Sequence, residues 1–259
     1  MKKKLFLAVL LSLLSLPFYA QENLPQKDAA SVTKDANNPL ASIKSFSMHN
    51  VYTSSLYSAE GTLNTFWLRY AQPIGRVLIR ASLAVNNFNI GEIDRSGLGD
   101  LNVFGTYILT QPTSANQLGV GPIFTIPTAT SSLLGAGKWQ VGAAFVGYFA
   151  SNPVFQSGVL ATWQHSFAGD KDRNKVQIAT VQPFLMWQLG KGVYLRSTGI
   201  AVLDLENGNY LVPLGLGAGK VIKAGNLVFN LFAEPQFTVW HKGEMMPKVQ
   251  CFIGINTQF

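Results

Sequence analysis

Apolar and polar residues alternate with a period of two along most of this chain, and this pattern restricts the fold more than any other feature. In segment 248–259 the odd positions are mostly apolar, whereas the even positions are mostly polar or small. Segment 227–239 repeats the arrangement. Such alternation is typical of a β-strand whose two faces meet different environments. A tilted strand needs about 9–11 residues to cross a bilayer, and most of the alternating segments are close to this length.

About twelve segments share the pattern, and they predict an all-β fold: a transmembrane antiparallel up-and-down β-barrel of about 12 strands. The count ranges from 10 to 14 because three of the segments alternate less cleanly. The twelve predicted strands are 44–54, 62–71, 75–86, 97–109, 117–128, 139–150, 155–167, 176–188, 193–204, 210–221, 227–240 and 248–259. Longer connections after strands 3, 5 and 7, among them 87–96, predict the extracellular end.

A secreted soluble barrel or sandwich is the main alternative, because its strands also alternate. Its exterior would carry many charges, but only 13% of this chain is charged, against roughly 25% in soluble domains. The aromatic residues cluster near strand ends, as in the interfacial girdles of membrane barrels. After the first twenty residues no apolar run approaches the roughly 18 residues of a membrane-spanning helix.

The N-terminus predicts export. Three lysines at positions 2–4 precede an apolar run over 5–16, and Ala20 ends the stretch. This is the pattern of a secretory signal peptide, 1–20, cleaved near Ala20. Residues 21–43 are polar and contain no aromatic residue, which predicts a flexible periplasmic segment before a barrel over 44–259. The predicted location is the bacterial outer membrane.

The chain ends on Phe259, after alternating apolar positions. This ending resembles the C-terminal sorting signal of bacterial outer-membrane barrels. The resemblance implies that the barrel-assembly machinery binds the last strand. The other expected partners are outer-membrane lipid, lipopolysaccharide and a small-molecule solute. Nucleic acid is not expected, because the Lys and Arg residues are spread along the chain rather than clustered.

If the apolar faces meet lipid, the opposite faces line the lumen, and they carry polar residues. These residues either line a pore and set its ionic preference, or form Arg–carboxylate pairs that plug a narrow barrel; both readings remain open. The candidate lumen-lining residues are Arg69, Arg80, Asp100, Gln164, Arg196, Asn230, Glu234, Gln236 and Asn256.

The positions of the histidines bear on whether the protein is an enzyme. A barrel enzyme that hydrolyses lipids would place His and Ser two residues apart on a lipid-facing strand, with a third residue that orients the His. Only His49 and Ser47 have this spacing, and no acidic partner is near them in sequence. No metal-ligand cluster and no phosphate-binding motif accompanies them, so we predict no enzyme, no metal and no cofactor.

Several stretches carry a family resemblance. They are 97–103 (GLGDLNV), 119–130 (GVGPIFTIPTAT), 134–139 (LGAGKW), 182–185 (QPFL) and 212–217 (VPLGLG). Together they resemble the family of outer-membrane proteins named for the MetA pathway of phenol degradation. The resemblance implies a barrel that takes up hydrophobic or aromatic compounds. We therefore predict an outer-membrane channel or transporter for passive uptake of a small solute. The alternatives are a structural or adhesive barrel with a plugged lumen and, less favoured, a lipid-modifying barrel enzyme.

Overall fold

The computed structural model describes residues 32, 35–111 and 114–259. The described chain folds into fourteen antiparallel β-segments, each formed where the sequence alternates between apolar and polar residues. They are β1 (Ser45–Leu56), β2 (Gly61–Ile74), β3 (Val77–Ile90), β4 (Ile93–Ile108), β5 (Asn116–Ile126), β6 (Lys138–Phe149), β7 (Phe155–Gly169), β8 (Gln177–Gly190), β9 (Val193–Ser197), β10 (Ala201–Asp204), β11 (Asn209–Gly215), β12 (Gly217–Ala224), β13 (Leu227–Lys242) and β14 (Pro247–Gln258).

The segments form one closed barrel of twelve strands. Strand β1 pairs with both β2 and β14, so the sheet has no free edge there. Segments β9 and β10 both pair with β8, and β11 and β12 both pair with β13. Each of these two pairs of segments is therefore a single interrupted barrel strand. The predicted all-β, twelve-stranded antiparallel barrel is confirmed.

The interruptions fall where the prediction had continuous strands at 193–204 and 210–221. At the first break the backbone N–H of Thr198 donates to the Glu234 carboxylate, 2.8 Å away, instead of to a neighbouring strand. The second break, at Leu216, is next to it in the sheet because β9 pairs with β12 and β10 pairs with β11. A buried carboxylate has thus replaced part of the backbone ladder.

Both chain ends of the barrel wall lie at one end, which we call the terminal end; the opposite end is the far end. The longest connection, 127–137, lies at the far end. The predicted loop 87–96 is instead a hairpin, since β3 and β4 extend to a two-residue turn at Gly91 and Glu92. Gly91 has a φ of 56°, a left-handed conformation that glycine adopts without steric cost.

The wall is apolar outside and more polar inside. Along β13, Phe237 and Val239 are 56% and 46% exposed, whereas Glu234 and Gln236 are buried. An exposed apolar band around a closed barrel is the surface expected of a wall that faces lipid. Among the described residues, no helix is long and apolar enough to span a membrane.

The described part of the predicted N-terminal segment, residues 32 and 35–43, is packed against the barrel rather than free. Ala36, Asn37 and Leu40 are buried. Leu40 contacts inward residues of β3, β4, β6 and β7, and the inner faces of these strands converge only in the lumen. Residues 35–41 therefore lie inside the barrel, at its terminal end. The predicted signal peptide, 1–20, lies outside the described residues.

Candidate functional site

Residues 35–41, which we call the plug, fill the terminal end of the lumen. Leu40 is fully buried among Leu78, Ile108, Val146 and Leu160. On the other side of the barrel, Ala36 packs in a cluster with three inward residues. These are Met186, Tyr194 and Val221. The plug thus reaches across the barrel from one wall to the other.

Polar contacts hold the plug in one position. Asn230 of β13 donates to the Ala36 carbonyl at 3.1 Å and to Asn37 Oδ1 at 2.8 Å. The Tyr194 hydroxyl donates to Asn230 Oδ1 at 2.6 Å and so orients this amide. On the opposite wall, Asn38 donates to Gln117 at 3.0 Å. Such buried bonds require a specific placement, because an unpaired buried amide costs about 1–3 kcal/mol.

A buried ion pair lies beside the strand breaks. Arg196 Nε is 2.8 Å from Glu234 Oε2, and the two side chains are 6% and 0% exposed. Thr198 donates to Glu234 through both its N–H and its hydroxyl, and Gln236 donates at 2.9 Å. The Arg196 guanidinium also lies 3.6 Å from the centroid of the Phe232 ring. With this many partners the Glu234 carboxylate is fully engaged within the wall of the barrel.

His49 lies between the Arg196–Glu234 pair and a second arginine, Arg69. Its Nε2 lies 2.7 Å from Asn256 Oδ1, and its Nδ1 lies 2.9 Å from an Arg69 guanidinium nitrogen. Arginine can only donate, so Nδ1 accepts, and Nε2–H donates to Asn256. The arrangement requires a neutral imidazole. His49 is buried on the interior side of the wall, so it is not the lipid-facing histidine that the lipid-modifying enzyme alternative needs.

A cavity of about 360 Å³ lies in the lumen next to Arg69. Arg80 and Trp67 line it, and Leu134 of the loop 127–137 contributes an apolar wall. The cavity lies to the far side of the plug. Leu78 packs against Leu40, and Arg80 is the next inward residue of β3 toward the far end.

Asp100 is the acidic residue that lines this cavity, but its carboxylate is engaged. One oxygen accepts from the Ala129 N–H at 3.1 Å and the other from the Ala136 N–H at 2.8 Å. Both donors belong to the loop 127–137. Asp100 therefore holds the loop over the cavity. A larger cleft, of about 460 Å³, lies among loops at the far end and includes residues 172–176.

The structure places all nine predicted lumen residues on the interior side. Arg69, Arg80, Asp100 and Gln164 line the cavity. Arg196, Asn230, Glu234 and Gln236 belong to the buried networks described above, and Asn256 is bonded to His49. Their roles in transport stay a prediction. Phe259 is half exposed just beyond β14, and its sorting role also stays a prediction.

The plug and the lumen position of Trp67 were not predicted from the sequence. Asn38 and Pro39 form a turn signal directly before Leu40, and an isolated leucine after such a signal could have indicated a docked segment. In the described part of the chain, no group of three His, Cys, Asp or Glu side chains could hold a metal ion.

The barrel resembles several solved structures of outer-membrane proteins. Neither a protein-family model nor a curated protein matches this sequence. Among solved structures, the COG4313 outer membrane channel from Pseudomonas putida F1 superposes with a TM-score of 0.64, at 12% identity over 92% of this chain and 100% of that one. This chain has the fold of bacterial outer-membrane channels. The NanC porin shares the fold as well, with a TM-score of 0.56 at 8% identity, over 83% of this chain and 98% of that one.

Proposed function

We propose that this protein is an outer-membrane channel for passive uptake of a small, hydrophobic or aromatic solute. One observation carries the proposal: a closed barrel with an apolar outer band encloses a cavity of about 360 Å³ lined by both polar and apolar side chains. This volume falls within the roughly 300–1,000 Å³ of typical small-molecule sites. The resemblance to the phenol-degradation family supports the solute class.

The proposed path begins at the far end, where the chain has its longest loop. A solute reaches the cavity from there, and its concentration gradient drives it. The plug lies below the cavity, so onward passage at the terminal end requires residues 35–41 to move. Diffusion of this kind uses no cofactor, and the proposal includes no catalytic step.

A structural or adhesive barrel with a blocked lumen is the second candidate, and the plug favours it. Leu40 has no exposed surface, and the Asn37 side-chain oxygen accepts a hydrogen bond from the Asn230 amide inside the lumen. If the plug stays in place, solutes enter the cavity but do not cross. The two functions therefore differ in one property, the mobility of the plug.

The deciding experiment measures single-channel current through the refolded full-length mature protein in a planar bilayer. A variant without residues 21–41 is measured beside it. We expect current steps from the full chain, larger steps from the truncated variant, and reversible blockade by phenol but not by xylose. Current only from the truncated variant would support the blocked barrel. Absence of current from both, in protein shown to be folded by its heat-modifiable gel mobility, would overturn the channel proposal.

N-terminal sequencing of the protein from outer-membrane fractions tests the location. We expect Gln21 as the first residue and co-fractionation with lipopolysaccharide. Recovery from the periplasmic fraction would contradict the proposed membrane location.

A further inference from the structure

Two arginines face the cavity, and neither has an acidic partner among the described residues. Arg69 of β2 and Arg80 of β3 line the same cavity. Their strands pair so that Arg69 is opposite Ser82 and Arg80 is opposite Ala71, which makes the two arginines diagonal neighbours. Diagonal neighbours in a sheet are about 7–8 Å apart, a distance that two long side chains easily span.

The charges of these arginines are not neutralised within the described residues. No ion pair joins either of them to a carboxylate there, in contrast to Arg196 with Glu234. Asp100, the acid on the cavity wall, is engaged by two backbone N–H groups of the loop 127–137.

The contacts that the two guanidiniums do make leave donors free. Arg69 donates to a neutral His49. The Arg80 guanidinium carbon lies 4.1 Å from the Phe104 ring centroid, a cation–π contact. The buried Nε atoms of both arginines have no hydrogen-bond partner among the residues that the structure describes.

Two like charges that share a partly dehydrated space repel each other, and an anion between them relieves this repulsion. Guanidinium groups present paired N–H donors that match a carboxylate. We infer that Arg69 and Arg80 form an anion-binding subsite in the lumen, and that it takes small aromatic monocarboxylates. The inference rests on the proposed function in one respect: it requires that solutes enter the lumen.

The rest of the cavity determines the solute body. Trp67 and Leu134 are apolar walls near the arginines, and the Arg69 guanidinium lies 5.1 Å from the Trp67 ring centroid. A phosphate or chloride ion would leave these walls without a partner. A flat apolar ring with one carboxylate fills both parts of the cavity.

The test is isothermal titration of the folded mature protein in detergent with benzoate, and with benzamide as its neutral counterpart. Benzoate is expected to bind about tenfold or more tightly than benzamide, because hydrogen bonds between charged groups are the stronger kind. Arg80→Gln should reduce benzoate affinity by about tenfold and leave benzamide unchanged. Arg80→Lys keeps the charge but loses the paired N–H donors of the guanidinium. Its benzoate affinity should lie between those of the original chain and Arg80→Gln.

Arg95→Gln is the matched control, because it removes the same charge from an exposed residue of the β3–β4 hairpin. It should bind benzoate as the original chain does. Equal binding of benzoate and benzamide, or equal loss in Arg80→Gln and Arg95→Gln, would overturn the subsite. Tight binding of inorganic phosphate in competition with benzoate would overturn the aromatic part of the assignment.

The binding test and the current measurement fail independently. Benzoate binding in a protein that passes no current would leave the subsite standing and remove the transport proposal. Current that phenol blocks, with no preference for benzoate, would leave the channel standing and remove the subsite.

Discussion

Leu40→Ala tests whether the plug controls passage through the barrel. Leu40 is fully buried in the lumen among four apolar side chains, and the plug is not part of the wall. Truncation of a buried leucine to alanine costs about 2.7–5 kcal/mol. Because the hydrogen-bond ladder of the barrel is untouched, this cost falls on the docking of residues 35–41 rather than on the barrel.

The cost of Leu40→Ala sets how far the docking equilibrium of the plug should shift. Each 1.4 kcal/mol changes an equilibrium constant about tenfold, so the ratio of undocked to docked plug should rise about a hundredfold to a few thousandfold. Single-channel recording should then show longer or more frequent high-conductance periods. Hydrogen exchange of the amides in 35–41 should accelerate by a similar factor, because exchange follows the undocked population.

Leu189→Ala is the matched control. Leu189 is 61% exposed, so the same truncation there should leave both the current and the exchange of the plug unchanged. The reasoning would be refuted if the plug amides of Leu40→Ala exchanged rapidly while the current stayed equal to that of the original chain. In that case residues 35–41 are not the barrier in the lumen.

Three further substitutions probe the interior. Glu234→Gln leaves the buried Arg196 without its anion. We expect the free energy of unfolding, measured in urea and followed by gel mobility, to fall by about 3–5 kcal/mol. An unchanged unfolding midpoint would contradict the buried pair. Gly254→Ala should cost about 1–3 kcal/mol in the same assay, because its added carbon would overlap the Phe232 ring. Gly105→Ala is the control and should be neutral, because its added carbon meets no described atom within 4 Å. Asp100→Asn keeps one acceptor oxygen of two, so limited proteolysis should cut the loop 127–137 faster; equal rates would show that the carboxylate does not hold the loop.

The barrel could be predicted from the sequence because each strand is marked by its own alternation of apolar and polar residues. Alternation along each strand reports which side chains face inward, and about 10-residue periods separated by turn residues report the strand count. The interior positions of the candidate lumen residues follow from the same alternation, whereas their roles in transport stay a prediction. Even the interrupted strands, β9 with β10 and β11 with β12, were located as single crossings of the wall.

The partners of the inward side chains could not be predicted, because pairing depends on register and curvature around the whole barrel. Alternation treats Arg69, Arg80 and Arg196 alike, yet within the described part of the chain only Arg196 pairs with a glutamate. The sequence also contains nothing that places Asp100 under the loop 127–137 rather than opposite an arginine. The plug was missed because it is short and polar, and its few apolar residues are buried by the barrel rather than by one another.

The attachment of the plug to β1 has a kinetic consequence. Residues 42–44 connect the plug to β1, so a released plug stays at the mouth of the lumen and returns as an intramolecular ligand. Short tethers of this kind give effective concentrations on the order of millimolar. A solute that binds in the space of the docked plug competes with the plug. Its apparent affinity is its intrinsic affinity multiplied by the fraction of time that the plug is undocked. Flux through such a barrel would depend on solute occupancy as well as on lumen width, and a solute that holds the plug away would speed the passage of the next.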